Sequence, residues 1–588
     1  MFDRTRKQYK LYFSFKLEMK KTILIFYAII IAISASSQTA QSDKNQRYFD
    51  INKSIDIFNS VIRELDLVYV DSVKIDSLVN ATINTMLMRL DPYTEYYSED
   101  NISDLQFMTT GEYGGIGSII SQNNNRVIIN EPYKNLPADK AGLKAGDIIL
   151  ELDGMNMEKA TVKDVSDKLK GTPGTSVKLK VQRPGNEKPM DIEIEREKIE
   201  IDPITYSSVM DDNIGYIHFS SFTNGSSERV KETFLDLKNN GAEKLVFDLR
   251  GNGGGILEDA VNIVNLFVKK GEEIVSTRGK VKQWDRSFIT QNNPIDTIMP
   301  IVVLVDTGSA SASEIVAGSL QDLDRAVIVG NRSFGKGLVQ SPRDLPYGGN
   351  IKITTSKYYI PSGRCIQALD YSHRNPDGSV AKTPDSLTNV FHTRSGREVR
   401  DGGGITPDYT IKHDKSGTIG FYLMADNIIF NYVTDWAQKH QSIASPTEFK
   451  LSDDDYNQFK EYVKSKDFKY DQMSIRNLES LKKIMEFEGY FDNSEEEYKA
   501  LEEKLSPNID RDLELFKDEI KEMIEVEIIQ RYYYKEGTLM YQLRDDKALE
   551  KAKEVLNNDD LYKLTLKPKV KNIPPASEIK EKIKDQYS

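Results

Sequence analysis

Val305-Asp306-Thr307-Gly308-Ser309-Ala310-Ser311-Ala312-Ser313-Glu314-Ile315 is the stretch whose reading decides the fold. The apolar run Ile301 to Val305 before it reads as a short buried strand, and Ile315, Val316, Leu320 and Leu323 continue in helical spacing. A strand that breaks sharply into a helix holds a hydroxyl at the helix N-terminus, where the dipole and free backbone N–H groups favour negative charge. That suits a serine nucleophile, because the tetrahedral oxyanion then forms beside those donors. Three serines alternate here, and the local pattern does not choose among Ser309, Ser311 and Ser313.

Working outward, Ser333-Phe334-Gly335-Lys336-Gly337-Leu338-Val339-Gln340 follows a second apolar strand, Ala326 to Val329. A lysine acts as a base only when neutral, and apolar surroundings lower its pKa. Gln340 stands four residues beyond Lys336, a spacing that puts both on one side of a strand or helix, so its amide is a candidate to orient the amine.

Together, Gly308 to Ile315, Phe334-Gly335-Lys336-Gly337 and Gln340 resemble the carboxyl-terminal processing peptidases, the tail-specific S41 serine proteases with a Ser–Lys dyad. The resemblance selects Ser311, which stands 25 residues before Lys336 as the family's nucleophile stands before its lysine. It also implies a supporting role for Gln340, and an oxyanion hole built from the backbone N–H of Gly253 or Gly254, in Asp248-Leu249-Arg250-Gly251-Asn252-Gly253-Gly254-Gly255, with that of Ala312. Tyr358 to Arg364 and Gly402 to Asp408 match further family segments, with Cys365 where a small residue such as serine is expected. The implied fold is a multidomain α/β protein: a crotonase-type protease core with an inserted PDZ domain and a helical C-terminal extension.

The glycine-rich turn after Arg250 lacks the Gly-Lys-Ser/Thr ending of a phosphate loop. The chain of 588 residues carries a formal charge of −12 and no basic tract, which argues against nucleic acid as the main partner. Cys365 is the sole cysteine, and the five histidines, His218, His373, His392, His413 and His440, form no ligand pair, so neither a metal nor another cofactor is expected. A Ser–His–Asp triad stays open as an alternative.

Lys20-Lys21, the apolar stretch from Thr22 to Ser34 and the small residues after it read as a signal peptide over 1–38, with Met19 as a second candidate start. Export to the periplasm or cell envelope follows, with an uncleaved signal anchor as the alternative. Residues 44–103 read as helical and end at Leu90-Asp91-Pro92-Tyr93-Thr94, which resembles a family motif and suggests no chemistry of its own. Residues 104–198 resemble a PDZ domain: Gly114-Gly115-Ile116-Gly117-Ser118-Ile119-Ile120 matches its carboxylate loop and strand, so Gly115, Ile116, Gly117, Ser118 and Ile119 are the expected tail-binding residues. The flanking helix falls near Val162 to Leu169. The core spans 199–415. The extension, 416–588, is charged and helical, with a capping box expected at Ser494 and Glu497.

The function expected from these readings is a serine endopeptidase that captures apolar C-terminal tails and hydrolyses exported, unfolded or membrane-associated envelope polypeptides through an acyl-enzyme. The alternative is a catalytically silent PDZ adaptor. A homo-oligomer or an adaptor protein is a further expected partner.

Overall fold

The computed structural model describes residues 45–568 apart from 376 and 413–416; the predicted signal segment and His413 lie outside the described residues. The chain divides into two compact units, the first ending at Arg89. Of the first unit, two helices are described, 45–68 and Ile75–Met88.

In the second unit, the core is a six-stranded sheet in the order Ile204–Met210, Ile214–Phe219, Lys244–Asp248, Ile301–Val305, Val327–Gly330, Tyr409–Thr410. Its first pair is antiparallel and every other pair is parallel. Parallel strands need crossovers, supplied here by helices Ser226–Asn239, Leu257–Phe267 and Ala312–Asp322. Ile301 to Val305 is apolar at every position because both faces of the strand are covered. Ile301, Val303 and Val305 pack with Phe234, Val264, Phe267 and Val316 on one face. Val302 and Leu304 pack on the other with Leu549, Ala552 and Val555 of helix Lys547–Leu556.

The second cover comes from the C-terminal extension, and an ion-pair chain fixes its place. Asp546 caps that helix by accepting from Ala548 N and Leu549 N, and its other oxygen meets Arg250 Nη2 at 2.6 Å. Arg250 is also held by the fully buried Asp248, which accepts from Tyr216 Oη at 2.7 Å. Asp546→Ala removes the cap and one partner of a half-buried guanidinium, so it is expected to destabilise the core by about 2–3 kcal/mol. A urea midpoint unchanged from wild type would contradict this.

A second, five-stranded sheet joins Glu95–Tyr97, Asn350–Tyr359, Glu273–Gly279 and Arg286–Ile289, with Leu338–Asp344 paired to Asn350–Tyr359. It brings Gln340, Lys352 and Thr354 to the edge of the core.

The segment that resembles a PDZ domain forms a sheet of Ser118–Asn123, Arg126–Pro132, Ile148–Leu152, Ser176–Gln182 and Met190–Glu195, with Met155–Asn156 at its side and helix Val162–Leu169 across it. The pair Glu112–Gly115 and Glu197–Glu200 carries the chain in and out. Gln530 donates to Glu131 and Tyr534 donates to Asp139, which tie the domain to the C-terminal helices. Within helix Lys517–Gln542, Tyr534 itself sits at φ 56°, a bend in an otherwise regular run. Ser494 is the N-cap of helix Glu495–Leu505, but its side chain makes no capping bond, so the expected capping box is not formed.

Candidate active site

Ser311 is the hinge between strand and helix. It caps helix Ala312–Asp322 with φ 57° and ψ −113°, a conformation that a residue with a Cβ holds only when its surroundings force it. The neighbouring serines do that forcing. Ser309 Oγ donates to Leu249 O at 2.8 Å and Ser313 Oγ donates to Asn252 O at 2.9 Å, and both side chains are fully buried. They stitch the turn to the glycine-rich loop, which leaves Ser311 as the serine of the three that lines the cavity. Ala310 N donates to Asn252 O, adding a third stitch.

Lys336 lies between Gly335 and Gly337 on a loop held from several sides. Gly337 N donates to Gln367 Oε1, Phe334 N to Ser309 O and Ala368 N to Gly335 O. The late glycine motif braces it as well, through Ile405 N to Ser333 Oγ at 2.6 Å.

The residue that joins the two loops is Glu314, fully buried on the first turn of the serine helix. Its Oε2 accepts from Ser311 N at 2.8 Å and from Lys336 N at 2.9 Å. Its Oε1 accepts from Gly335 N at 2.7 Å and from Ser333 Oγ at 2.5 Å. One carboxylate thus fixes the backbone of both candidate residues. Burial pushes its pKa up to about 7, against the pull of those hydrogen bonds. The motif reading gives Glu314 no role; its one signal in the sequence is a charge three residues into an otherwise small and apolar helix start.

Ser311, Ala312, Lys336, Gln340, Gly253 and Gly254 all line one cavity of about 920 Å³. Leu105, Met108, Ile256, Leu257 and Phe288 give it apolar walls, and no histidine lines it. His218 instead lies on a core strand in register with Asp248, where burial lowers its pKa. Burial, and after it the charge of Lys352, pushes the Lys336 amine down to about 8.

Two expected roles change. Gly254 N donates to Asn252 Oδ1 at 2.9 Å, so its N–H is already committed. Gly253 and Ala312 keep N–H groups with no hydrogen-bond partner among the described residues. Gly254 is instead a packing requirement: at φ 100°, a Cβ there would lie 2.8 Å from Ser311 Cβ and 2.7 Å from Ala310 O. Gln340 lines the cavity, yet its Nε2 donates to Thr354 Oγ1 at 3.1 Å and not toward the lysine.

In the PDZ domain, Ala138 N donates to Ile116 O and Tyr133 N to Gly117 O, which turns the loop carbonyls inward. The Tyr113 ring folds over Gly115, where a Cβ would lie 2.7 Å from it. Ser118 Oγ is buried without a partner among the described residues, Ile116 is buried and Ile119 is exposed. Ser118–Asn123 is an edge strand of its sheet, able to accept an added strand.

A serine at a helix N-terminus, a lysine whose amine burial pushes down and two backbone N–H groups with no partner among the described residues meet in one cavity, and comparison with known proteins gives the family. The chain matches the model of peptidase family S41 over residues 213–380, a PDZ domain model over 128–183 and the model described as "Probable PDZ-protease, C-terminal helical domain" over 419–556. It is 36% identical to the carboxy-terminal-processing protease of Bartonella bacilliformis over 349 residues, covering 59% of this chain and 79% of that protein. It is 29% identical to a "Probable CtpA-like serine protease" of Staphylococcus aureus over 472 residues, covering 78% of this chain and 92% of that protein. Among solved structures, the photosystem II D1 C-terminal processing protease aligns over 60% of this chain and 92% of its own, with 27% identity and a TM-score of 0.33. The chain belongs to the S41 carboxy-terminal-processing proteases and is a serine-type peptidase with a PDZ domain and a helical C-terminal domain.

Proposed function

We propose that this peptidase cleaves polypeptides inward from a C-terminal tail by a Ser311–Lys336 dyad on a crotonase-type core. The observation that carries the reading is the single cavity lined by Ser311, Lys336, Gly253 and Ala312, with Glu314 Oε2 bonded to the backbone of both candidate catalytic residues. Ser311 Oγ attacks the peptide carbonyl and Lys336, neutral, takes its proton. The oxyanion accepts hydrogen bonds from Gly253 N and Ala312 N. The protonated lysine then donates to the leaving amine, and water, activated by the same amine, hydrolyses the acyl-Ser311 ester. Gln340 acts at one remove, by holding Thr354, which in turn bonds Thr94 of the segment that carries Tyr93.

The PDZ loop, Gly115 to Ile119, is proposed to seat the tail carboxylate, with the apolar side of the groove selecting apolar tails. The basic and apolar start of the chain supports export, and with it envelope polypeptides as substrates.

The test is acid quenching during turnover of an activated ester, followed by peptide mass spectrometry. An acyl group on Ser311 is expected; an acyl group on Ser309 or Ser313 would end the assignment. The pH dependence has a definite sign. The base must be deprotonated, so kcat/KM is expected to rise about tenfold per pH unit and to level off above about 8. A rate independent of pH between 6 and 9 would mean that no group of this kind is used.

A further inference from the structure

The stretch Leu90-Asp91-Pro92-Tyr93-Thr94, which carries no chemistry in the sequence reading, ends in the lysine pocket. The Lys336 Nζ lies 4.5 Å from the centroid of the Tyr93 ring. The residue is anchored at its backbone and at its hydroxyl end. Asp91 Oδ1 accepts from Tyr93 N at 2.9 Å and from Thr94 N at 2.8 Å, a local turn that fixes the backbone. Thr94 Oγ1 lies 3.3 Å from Thr354 Oγ1 and accepts from Thr354 N at 3.2 Å. Thr354 is the residue to which Gln340 donates, so the glutamine and the tyrosine segment brace one another. On its far side Tyr93 meets Tyr371 edge-on, ring centroids 6.0 Å apart, and accepts from the Tyr371 hydroxyl at 3.4 Å.

We propose that Tyr93 is a positioning residue of the peptidase, its ring face packing against the Lys336 amine and so fixing the side chain of a lysine that lines the same cavity as Ser311. The inference rests on the Ser–Lys reading above. Its physical content is a balance. Burial and the charge of Lys352 favour the neutral amine, whereas Glu314, Asp91 and Glu95 favour the ammonium. The π face adds to the second group, because the ring quadrupole attracts a cation within about 6 Å. Neither carboxylate segment offers the amine a direct ion pair: Asp91 is occupied with Tyr93 and Thr94, and Glu95 pairs with Lys352. A ring supports the ammonium formed during proton transfer without the deep stabilisation that a carboxylate contact brings, so the amine still deprotonates near neutral pH. The hydroxyl of Tyr93 faces Tyr371, and the ring alone faces the lysine.

The test uses the full-length protein and two variants, Tyr93→Phe and Tyr93→Leu. Two readouts are taken: kcat and KM against pH, and the pH midpoint of Lys336 acetylation by limiting acetic anhydride, read by peptide mass spectrometry. Tyr93→Phe keeps the ring and is expected to match wild type in kcat and midpoint. Tyr93→Leu removes the π face, so the acetylation midpoint is expected to fall by about 0.5 to 1 pH unit. Its kcat on the plateau is expected to fall about tenfold, with KM unchanged, because the amine is no longer held in place. Wild-type kcat and midpoint in Tyr93→Leu would overturn the proposal. So would equal impairment of the two variants, which would assign the effect to the hydroxyl, or a rise in KM alone, which would make Tyr93 a substrate contact. Ser311→Ala run in parallel separates the premises: turnover by that variant ends the Ser–Lys reading, while the acetylation midpoint, which needs no turnover, still judges the contact of ring and amine.

Discussion

Replacing Ser311 by alanine is expected to abolish peptide-bond hydrolysis, lowering kcat by roughly four to six orders of magnitude, the scale on which removal of a serine peptidase nucleophile acts. The loss falls on chemistry alone. Ser309 and Ser313 are buried donors to Leu249 O and Asn252 O and are in no position to substitute. The bond from residue 311 to Glu314 uses the backbone N–H, which alanine retains. Stability is expected to fall by no more than about 1 kcal/mol, the cost of losing the Ser311 cap of helix Ala312–Asp322, and binding of a tail peptide to the PDZ domain is expected to be unchanged. Degradation of an unfolded protein, followed by gel densitometry beside peptide binding by fluorescence anisotropy, checks both halves. Turnover equal to wild type would place the nucleophile elsewhere.

Glu314→Ala is expected to remove activity by about three orders of magnitude and, unlike the serine variant, to destabilise the core by about 3–5 kcal/mol. Four donors converge on this buried carboxylate: Ser311 N, Gly335 N, Lys336 N and Ser333 Oγ. Alanine strands them around a cavity, and a buried donor without an acceptor costs about 1–3 kcal/mol. Glutamine fills the space but turns one oxygen into an N–H₂ that faces donors, so Glu314→Gln is expected to recover more stability than activity. The two loops are then held only from their outer sides, and small displacements of an attacking group cost rate steeply. A guanidinium unfolding midpoint and kcat measured on the same preparations separate the two effects. Wild-type kcat in Glu314→Gln would show that the clamp is dispensable.

Both predictions depend on contacts that the sequence discloses unevenly. The strand Ile301–Val305 and the helix that follows were legible because an all-apolar run and a helical spacing are local signals. Helix Val162–Leu169 was placed by the resemblance to a PDZ domain, and the structure adds its cap, Thr161, whose side chain accepts from Asp164 N. The choice among the three serines was not legible from periodicity. Its reason is the pair of carbonyls, Leu249 O and Asn252 O, that engage two of them from a strand end some 60 residues earlier. Gly253 and Gly254 read alike in sequence; the Asn252 side chain tells them apart by taking the N–H of one.

The sequence by itself determined the α/β alternation of the core, the glycine-punctuated PDZ segment and the spacing of Ser311 and Lys336, since each is written in residues near one another along the chain. Tertiary structure decided the rest. It set the Tyr93 ring against an amine 243 residues away, spent the Gln340 amide on Thr354, and laid Leu549, Ala552 and Val555 over the second face of the core sheet. An apolar stripe states that a surface must be buried, whereas the surface that buries it is chosen only when distant segments compete for the same space.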